Sequence, residues 1–370
     1  MLETPPPSLR ILVLDGHDRA ALAAVRSLGR RRNRIAVASH AAHVPAFASR
    51  YCTERHTSPD PYTQRGGYVR WLIDSLQRGR FDALLCFDTA TADVVSEYQS
   101  TQRHYTGCAL PPRQAILDAG SPQRLRAHAG RLGVNAAILP MGSPPRLLRP
   151  SRSDRFYLLT ALAREGEAVA TFVQRELGGL RTPPLRMERL ARPARERPWL
   201  SSHACAVSVE KPDVSRLGAA VLRALGWHGL ATLAFRQDRR LGRLEWLGMY
   251  PGLLDGVELA ITAGVDLPWL YVQLAAGRPV AGPTSYRLGL KYVRLWLGRA
   301  FRDSMVQTLA NFGPDTCTHL CLSDPMPHLD ALGRVVGWMR RPFAGDRQPD
   351  ADISAPTVIV PFPVGRHAPS

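Results

Sequence analysis

The sequence predicts an α/β protein in which a doubly wound parallel sheet comes first and a shorter α+β domain follows. Three observations predict it. Strand-, helix- and strand-like runs follow one another directly over residues 11–39, residues 156–177 alternate as a hairpin, and strands and helices recur from residue 205 to residue 277. Consecutive strand, helix and strand make a βαβ unit, and such units assemble into parallel sheets with helices on both faces.

The first unit is ILVLD (11–15), then RAALAAVRSLGRR with apolar residues at helical spacing, then RIAVAS (34–39). The pattern continues with a helix in YVRWLIDSLQRG, a buried strand in ALLCF (83–87), a helix in TADVVSEYQ and a short strand in GCAL (107–110). Residues 113–134 read as one or two helices, and the proline-rich stretch after them reads as a boundary. Beyond it come the hairpin, the strand CAVSVE (205–210), the helix VSRLGAAVLRALGW, the strands LATLAFRQD (230–238) and RLEWLGMY, and helices between Leu253 and Gly277. The segment YRLGLKYVRLWLGRAFRDSMVQTLANF has amphipathic spacing and predicts a helix packed on the core.

Composition narrows the function classes. A hydrophobic fraction of 45% and a charged fraction of 21% are those of a folded globular chain, so disorder is not expected. No stretch is long and apolar enough for a membrane span, and the start has no basic segment followed by an apolar run and a cleavage site. The cytoplasm is the expected location. Six scattered cysteines favour reduced thiols over a disulfide framework, and Cys317 and Cys321 around His319 are too few ligands for a zinc site. The net charge of +17 raises the question of nucleic acid. However, only Lys211 and Lys291 are lysines among 48 basic residues, and the arginines are dispersed without interleaved aromatics. That usage fits the codon bias of a GC-rich genome, so nucleic acid is not an expected partner.

Ligands of open parallel sheets sit at the carboxyl ends of the strands. Here those ends carry Asp15-Gly16-His17-Asp18 and Asp88-Thr89, with no GxGxxG to indicate a dinucleotide. His17, Asp18, Asp88 and Thr89 are therefore the candidate substrate-binding residues. Asp18 and Asp88 also read, and more readily, as caps of the helices that follow them.

Two stretches carry a family resemblance. LDGHDRAALAAVRSLGRR resembles the opening of the preATP-grasp domain of carbamoyl-phosphate-synthase-like ATP-grasp proteins, the carboxylate-amine ligase type. VLRALGWHGLATLAFRQDRRLGRLEWLGMYPGLLDGVELAITAGVDLP is similar to the catalytic end of the same family, where a Leu-Gly-Trp-His-Gly type turn leads into two metal-bearing strands. The resemblance implies a preATP-grasp doubly wound parallel sheet domain over 1–112, a helical linker and truncated nucleotide subdomain over 113–155, a shortened α+β ATP-grasp-like domain over 156–342, and a mobile tail over 343–370. It also implies ATP and Mg²⁺ as cofactors and amide-bond formation through an acyl phosphate.

The residues that would serve that chemistry are replaced. The first late strand usually has a Glu two residues before its basic residue, and that place is Ala234. The usual Glu-x-Asn-Pro-Arg reads Gly248, Met249, Tyr250, Pro251 and Gly252. The Asp-Lys pair before the Leu-Gly-Val turn falls at Ser121-Pro122, the lysine of Val-Lys-Pro falls at Arg149, and six residues stand where a long phosphate-covering segment is usual. No catalytic residue is assigned. Glu245 and Asp255 are the acids left near the metal position, and Glu245 lies at an odd strand offset from Gly248, so it serves only if the strand is bulged. Arg149 and Arg175 are the candidates for holding a nucleotide or other anion. His228, in the GWHG turn, is expected to be structural. The expectation is an ATP-grasp-like protein that binds a small molecule or a protein, including a second copy as a homodimer, and is no longer a catalyst. A divergent ligase is the alternative.

Overall fold

The computed structural model describes residues 8–101, 106–138, 154–177, 205–238, 242–253, 256–293, 313–318 and 320–330, all within the unit Met1–Asp330. The apolar run at 11–14 becomes β1 (Arg10–Val13), whose Ile11, Leu12 and Val13 are wholly buried. It is followed by α1 (Arg19–Arg30), β2 (Arg34–Ser39), β3 (Cys52–Thr57), α2 (Arg65–Gly79), β4 (Ala83–Leu85) and α3 (Thr89–Thr101). The strands form a parallel sheet in the order β3-β2-β1-β4.

Two sequence expectations change here. The stretch at 107–110 joins the sheet only through an isolated bridge from Gly107 to Ala83. An edge strand not expected from hydrophobicity, β3, takes the other side. Its residues alternate between half-buried and exposed, because an edge strand lacks the apolar run of a central one.

After α4 (Arg113–Ala119) and α5 (Pro122–Arg131) comes a second sheet in the order β11-β10-β7-β6-β5-β8-β9. Its centre is the hairpin of β5 (Arg155–Arg164) and β6 (Glu167–Glu176), flanked by β7 (Cys205–Ser208), β8 (Gly229–Gln237) and β9 (Leu244–Tyr250). α6 (Pro212–Ala224), α7 (Val257–Ala263) and α8 (Leu267–Ala275) pack on it. β10 (Lys291–Val293) and β11 (Thr316–Thr318) complete one edge.

β10 corrects a helix expectation. Lys291 to Val293 pair antiparallel with Val207 to Cys205, so pairing to β7 wins over the helical spacing of the sequence. Residues 294–312, the rest of that predicted helix, lie outside the described residues, as do His319 and the predicted tail over 343–370.

The GWHG turn is tied into the fold by its side chains. Trp227 is fully buried and its indole N–H donates to the Leu230 carbonyl (3.1 Å), while His228 Nδ1 accepts from the Glu165 N–H (3.3 Å). Burial lowers the His228 pKa, which keeps this ring nitrogen an acceptor.

The two faces of the large sheet differ. Residues directly opposed across strands share a face. Tyr157, Phe235 and Trp246 line one, under α4, α5 and α6, in a core that includes Trp227, Val221 and Leu222. On the other, Leu162, Phe172 and Leu230 pack with α1, α7 and α8, joining the two sheets in one core.

Candidate functional site

The carboxyl ends of β1 and β4 meet the end of β9. Asp15, two residues after β1, has a left-handed conformation (φ 58°) and is 5% exposed. One carboxylate oxygen accepts the N–H groups of Phe87 (2.9 Å) and Asp88 (3.0 Å), and the other accepts the Thr91 hydroxyl (2.8 Å). Burial, and then the charge of Asp88, push its pKa up to about 7 against those hydrogen bonds.

The four candidate substrate-binding residues lie in the segments that follow β1 and β4. Asp88 caps α3 by accepting from the Ala90 N–H (2.8 Å) and also accepts the exposed Tyr62 hydroxyl (2.5 Å). Thr89 opens α3 and is half-buried. Asp18 caps α1, accepting from the Ala20 N–H (2.8 Å). His17 lies against Ser39 (Nδ1 to Oγ 3.4 Å) and meets His40 edge to face, with ring centroids 4.7 Å apart. Both cap readings therefore hold, and each cap satisfies a backbone donor that the first turn of its helix would otherwise leave open.

Tyr250, where the resemblance expects an asparagine, reaches across from β9. Its hydroxyl donates to the Phe87 carbonyl, and the N–H of the same residue is held by Asp15. Burial first, then the charges of Asp88, Asp18, Tyr62 and Asp15, raise the Tyr250 pKa well above its usual value, so it stays a donor. Tyr250→Phe would leave a buried carbonyl without its donor and is expected to lower stability by about 1–3 kcal/mol in chemical unfolding.

The register shows where the strand residues that the resemblance assigns to a metal lie. Ala234 opposes Leu158 on β5 and Gly248 on β9, and Arg236 opposes Phe156 and Glu245. Between them β9 is bulged: Trp246 pairs with Phe235 and Gly248 with Ala234, leaving Leu247 as the extra residue. The bulge removes the odd offset, so Glu245 shares the face of Ala234 and Gly248. Glu245 is nevertheless engaged, because the Arg236 guanidinium grips one of its oxygens through Nε (2.9 Å) and through a terminal nitrogen. Between this pair and Tyr250 the face is apolar, a cluster of Phe156, Leu158, Ala234, Leu247 and Tyr250, each at most 6% exposed.

Mg²⁺ asks for several oxygen ligands, carboxylates above all. A face offering methyl groups, rings and one arginine-bound carboxylate does not fit it. Among the described residues no three His, Cys, Asp or Glu side chains are grouped to hold a metal. Asp255 and Arg149 lie outside the described residues. Arg175 opposes Tyr157 and Val207, which puts it on the opposite face from Ala234.

Sequence reasoning singled out neither Asp15, Tyr62 nor Tyr250 as site residues. Asp15 had one readable signal, its place directly before Gly16 at a strand's carboxyl end. The φ of 58° and the partners at Phe87 and Thr91 are products of the fold.

A parallel four-stranded sheet is followed by a largely antiparallel seven-stranded sheet, and the end of β9 meets the segment after β4; solved structures give this arrangement the ATP-grasp fold. Solved structures of that fold superpose on the chain. They include a multifunctional pyruvate carboxylase from Rhizobium etli (TM-score 0.54, 11% identity, 77% of this chain and 26% of that one). An L-amino acid ligase from Bacillus licheniformis gives a TM-score of 0.52 at 10% identity, over 74% of this chain and 75% of the ligase. The biotin carboxylase domain of Hydrogenobacter thermophilus 2-oxoglutarate carboxylase gives 0.53 at 11%, over 77% and 74%. The chain thus spans 26% of the length of the pyruvate carboxylase. No family model and no curated protein sequence matches it. At these identities the likeness is one of fold. Among the described residues no helix is long and apolar enough to cross a membrane.

Proposed function

We propose that this ATP-grasp fold serves as a binding protein that does not turn over Mg-ATP. Its ligand is a small molecule or a partner protein at the carboxyl ends of β1 and β4, with His17, Asp18, Asp88 and Thr89 as the residues proposed to bind it. One observation carries the reading. Where the resemblance places a metal-binding Glu and a Glu-x-Asn pair, the buried face holds Ala234, Gly248 and Tyr250 beside or within an apolar cluster. The Hydrogenobacter domain is a dimer in complex with MgADP, ADP and bicarbonate. We include a homodimer and a cytoplasmic location in the reading and leave out the magnesium nucleotide.

Mass action supplies the test. A ligand present at about a hundred times its dissociation constant stabilises a protein by about 2.7 kcal/mol. The midpoint of thermal unfolding should therefore stay unmoved at millimolar Mg-ATP. Phosphate release in the presence of an amine and a carboxylate would contradict the proposal.

A second reading, a divergent ligase, has one observation in its favour: the bulge at Leu247 returns Glu245 to the metal face. In that reading Glu245→Gln abolishes turnover. In the reading preferred here it leaves small-molecule binding intact.

A further inference from the structure

We propose that residues 320–330 form a surface that docks on an anionic lipid bilayer, entering it with leucine and methionine side chains and holding its headgroups with arginines. The contact lies at the bilayer surface and needs no spanning helix. It does not depend on whether a nucleotide binds.

Exposed apolar residues are common singly and call for an explanation when they gather. Among the described residues six large hydrophobic side chains are exposed, and four of them, Leu320, Leu322, Met326 and Leu329, fall within 320–330. Leu322 is 97% exposed, so it stands as a tip and not as the wall of a groove. Met326 and Leu329 are three apart in the helical turn after Pro325 and share one side of it, while Pro327 is buried.

The segment is held in place from beneath. Asp324 is wholly buried, and its carboxylate accepts the Arg26 Nε–H (2.9 Å), the Ser49 hydroxyl (2.8 Å) and the Arg50 N–H (2.8 Å). Water favours the reverse arrangement, with the carboxylate outward and the leucines inward. Burying the charge while showing the leucines suits an apolar surrounding on the outer side.

The rim is cationic. Arg30 donates to Cys321 Sγ (3.2 Å) and Arg50 to the Ser323 carbonyl (3.1 Å), so two exposed arginines reach the residues on either side of Leu322. The side-chain partners of these arginines are Cys321, Ser323 and Tyr51, none of them a carboxylate. Within the segment Asp324 is matched by Arg26, and Asp330 is the exposed acid.

Charge decides the occupant. A second copy docked through the same face would bring the same two arginines of each chain to one interface, between chains that each carry +17. An anionic bilayer instead offers phosphate to the arginines and an acyl boundary to the leucines, and it needs no pocket shaped for Leu322. The net charge of +17 adds attraction at longer range.

Co-sedimentation of the full chain with vesicles tests the proposal, in physiological salt, with phosphatidylglycerol and phosphatidylcholine mixed equally or with phosphatidylcholine alone. Net charge by itself draws a basic chain to anionic lipid, so the decisive variant leaves charge unchanged. Wild type should bind the mixed vesicles and not the neutral ones. Leu320→Ser/Leu322→Ser should bind the mixed vesicles at least about tenfold more weakly, with the midpoint of thermal unfolding as in wild type. Arg30→Gln/Arg50→Gln should lose at least about as much. Equal binding by the leucine variant and wild type would reduce the contact to bulk charge and overturn the proposal. So would an absence of wild-type binding, which would leave an acidic protein as the partner. A wild-type dimer in lipid-free solution that the leucine variant abolishes would also overturn it, by making the occupant a second copy.

Discussion

Asp324→Ala is expected to lower stability by about 3–5 kcal/mol, because it leaves a buried guanidinium without its counter-charge. The Arg26 and Asp324 side chains are only 5% and 0% exposed, with Arg26 Nε 2.9 Å from Asp324 Oδ2. The carboxylate also accepts from the Ser49 hydroxyl (2.8 Å) and the Arg50 N–H (2.8 Å). Arg26 donates further to the Asp324 carbonyl (3.0 Å). Burial alone would raise this carboxyl's pKa, but the hydrogen bonds from Arg26, Arg50 and Ser49 outweigh it and hold the pKa below the usual value. The stability it contributes is thus present across neutral pH and is lost only as pH falls through that lowered value. Urea unfolding checks the magnitude. Asp324→Asn, which keeps the shape and loses the charge, should fall between wild type and the alanine variant. The contact ties residues 320–330 to α1, so loosening of that segment should accompany the loss.

Gly229→Ala is the second large effect. Gly229 opens β8 at φ 97°, where a side chain strains the backbone, and a Cβ there would lie 1.9 Å from the Ala109 carbonyl oxygen. That neighbour is backbone and cannot swing away. A cost above about 3 kcal/mol is expected, combining a steric clash with an unfavourable φ. Thermal unfolding measures it. Gly226, also at positive φ but with nothing within 4 Å of where a Cβ would stand, should lose far less on the same change.

Much of the architecture could be read from local pattern. ILVLD, RIAVAS and ALLCF are buried runs with helices between them, and they became β1, β2 and β4. The hairpin of β5 and β6 and the strands β8 and β9 followed from alternation and turn glycines in the same way. What escaped depended on distant partners. β3 is half polar because it lies at the sheet's edge, and β10 is a strand because β7 offers it hydrogen bonds. The same holds at the site. Asp18 and Asp88 were visible at strand ends, but Asp15 became a buried carboxyl through Phe87, Asp88 and Thr91, more than seventy residues away. The bulge at Leu247 shows only in pairing, and it alone decides which face Glu245 joins. Arg26 and Asp324 are 298 residues apart, a pairing that no local pattern contains.

The face of β8 and β9 to which the resemblance assigns a magnesium nucleotide carries the cluster of Phe156, Leu158, Ala234, Leu247 and Tyr250, and the proposal that Mg-ATP is not turned over rests on that cluster. Titration calorimetry of Mg-ATP into the full chain tests it most directly. No saturable heat is expected up to millimolar nucleotide, and the same trace is expected with ATP alone. Saturable binding that disappears when magnesium is chelated would contradict it.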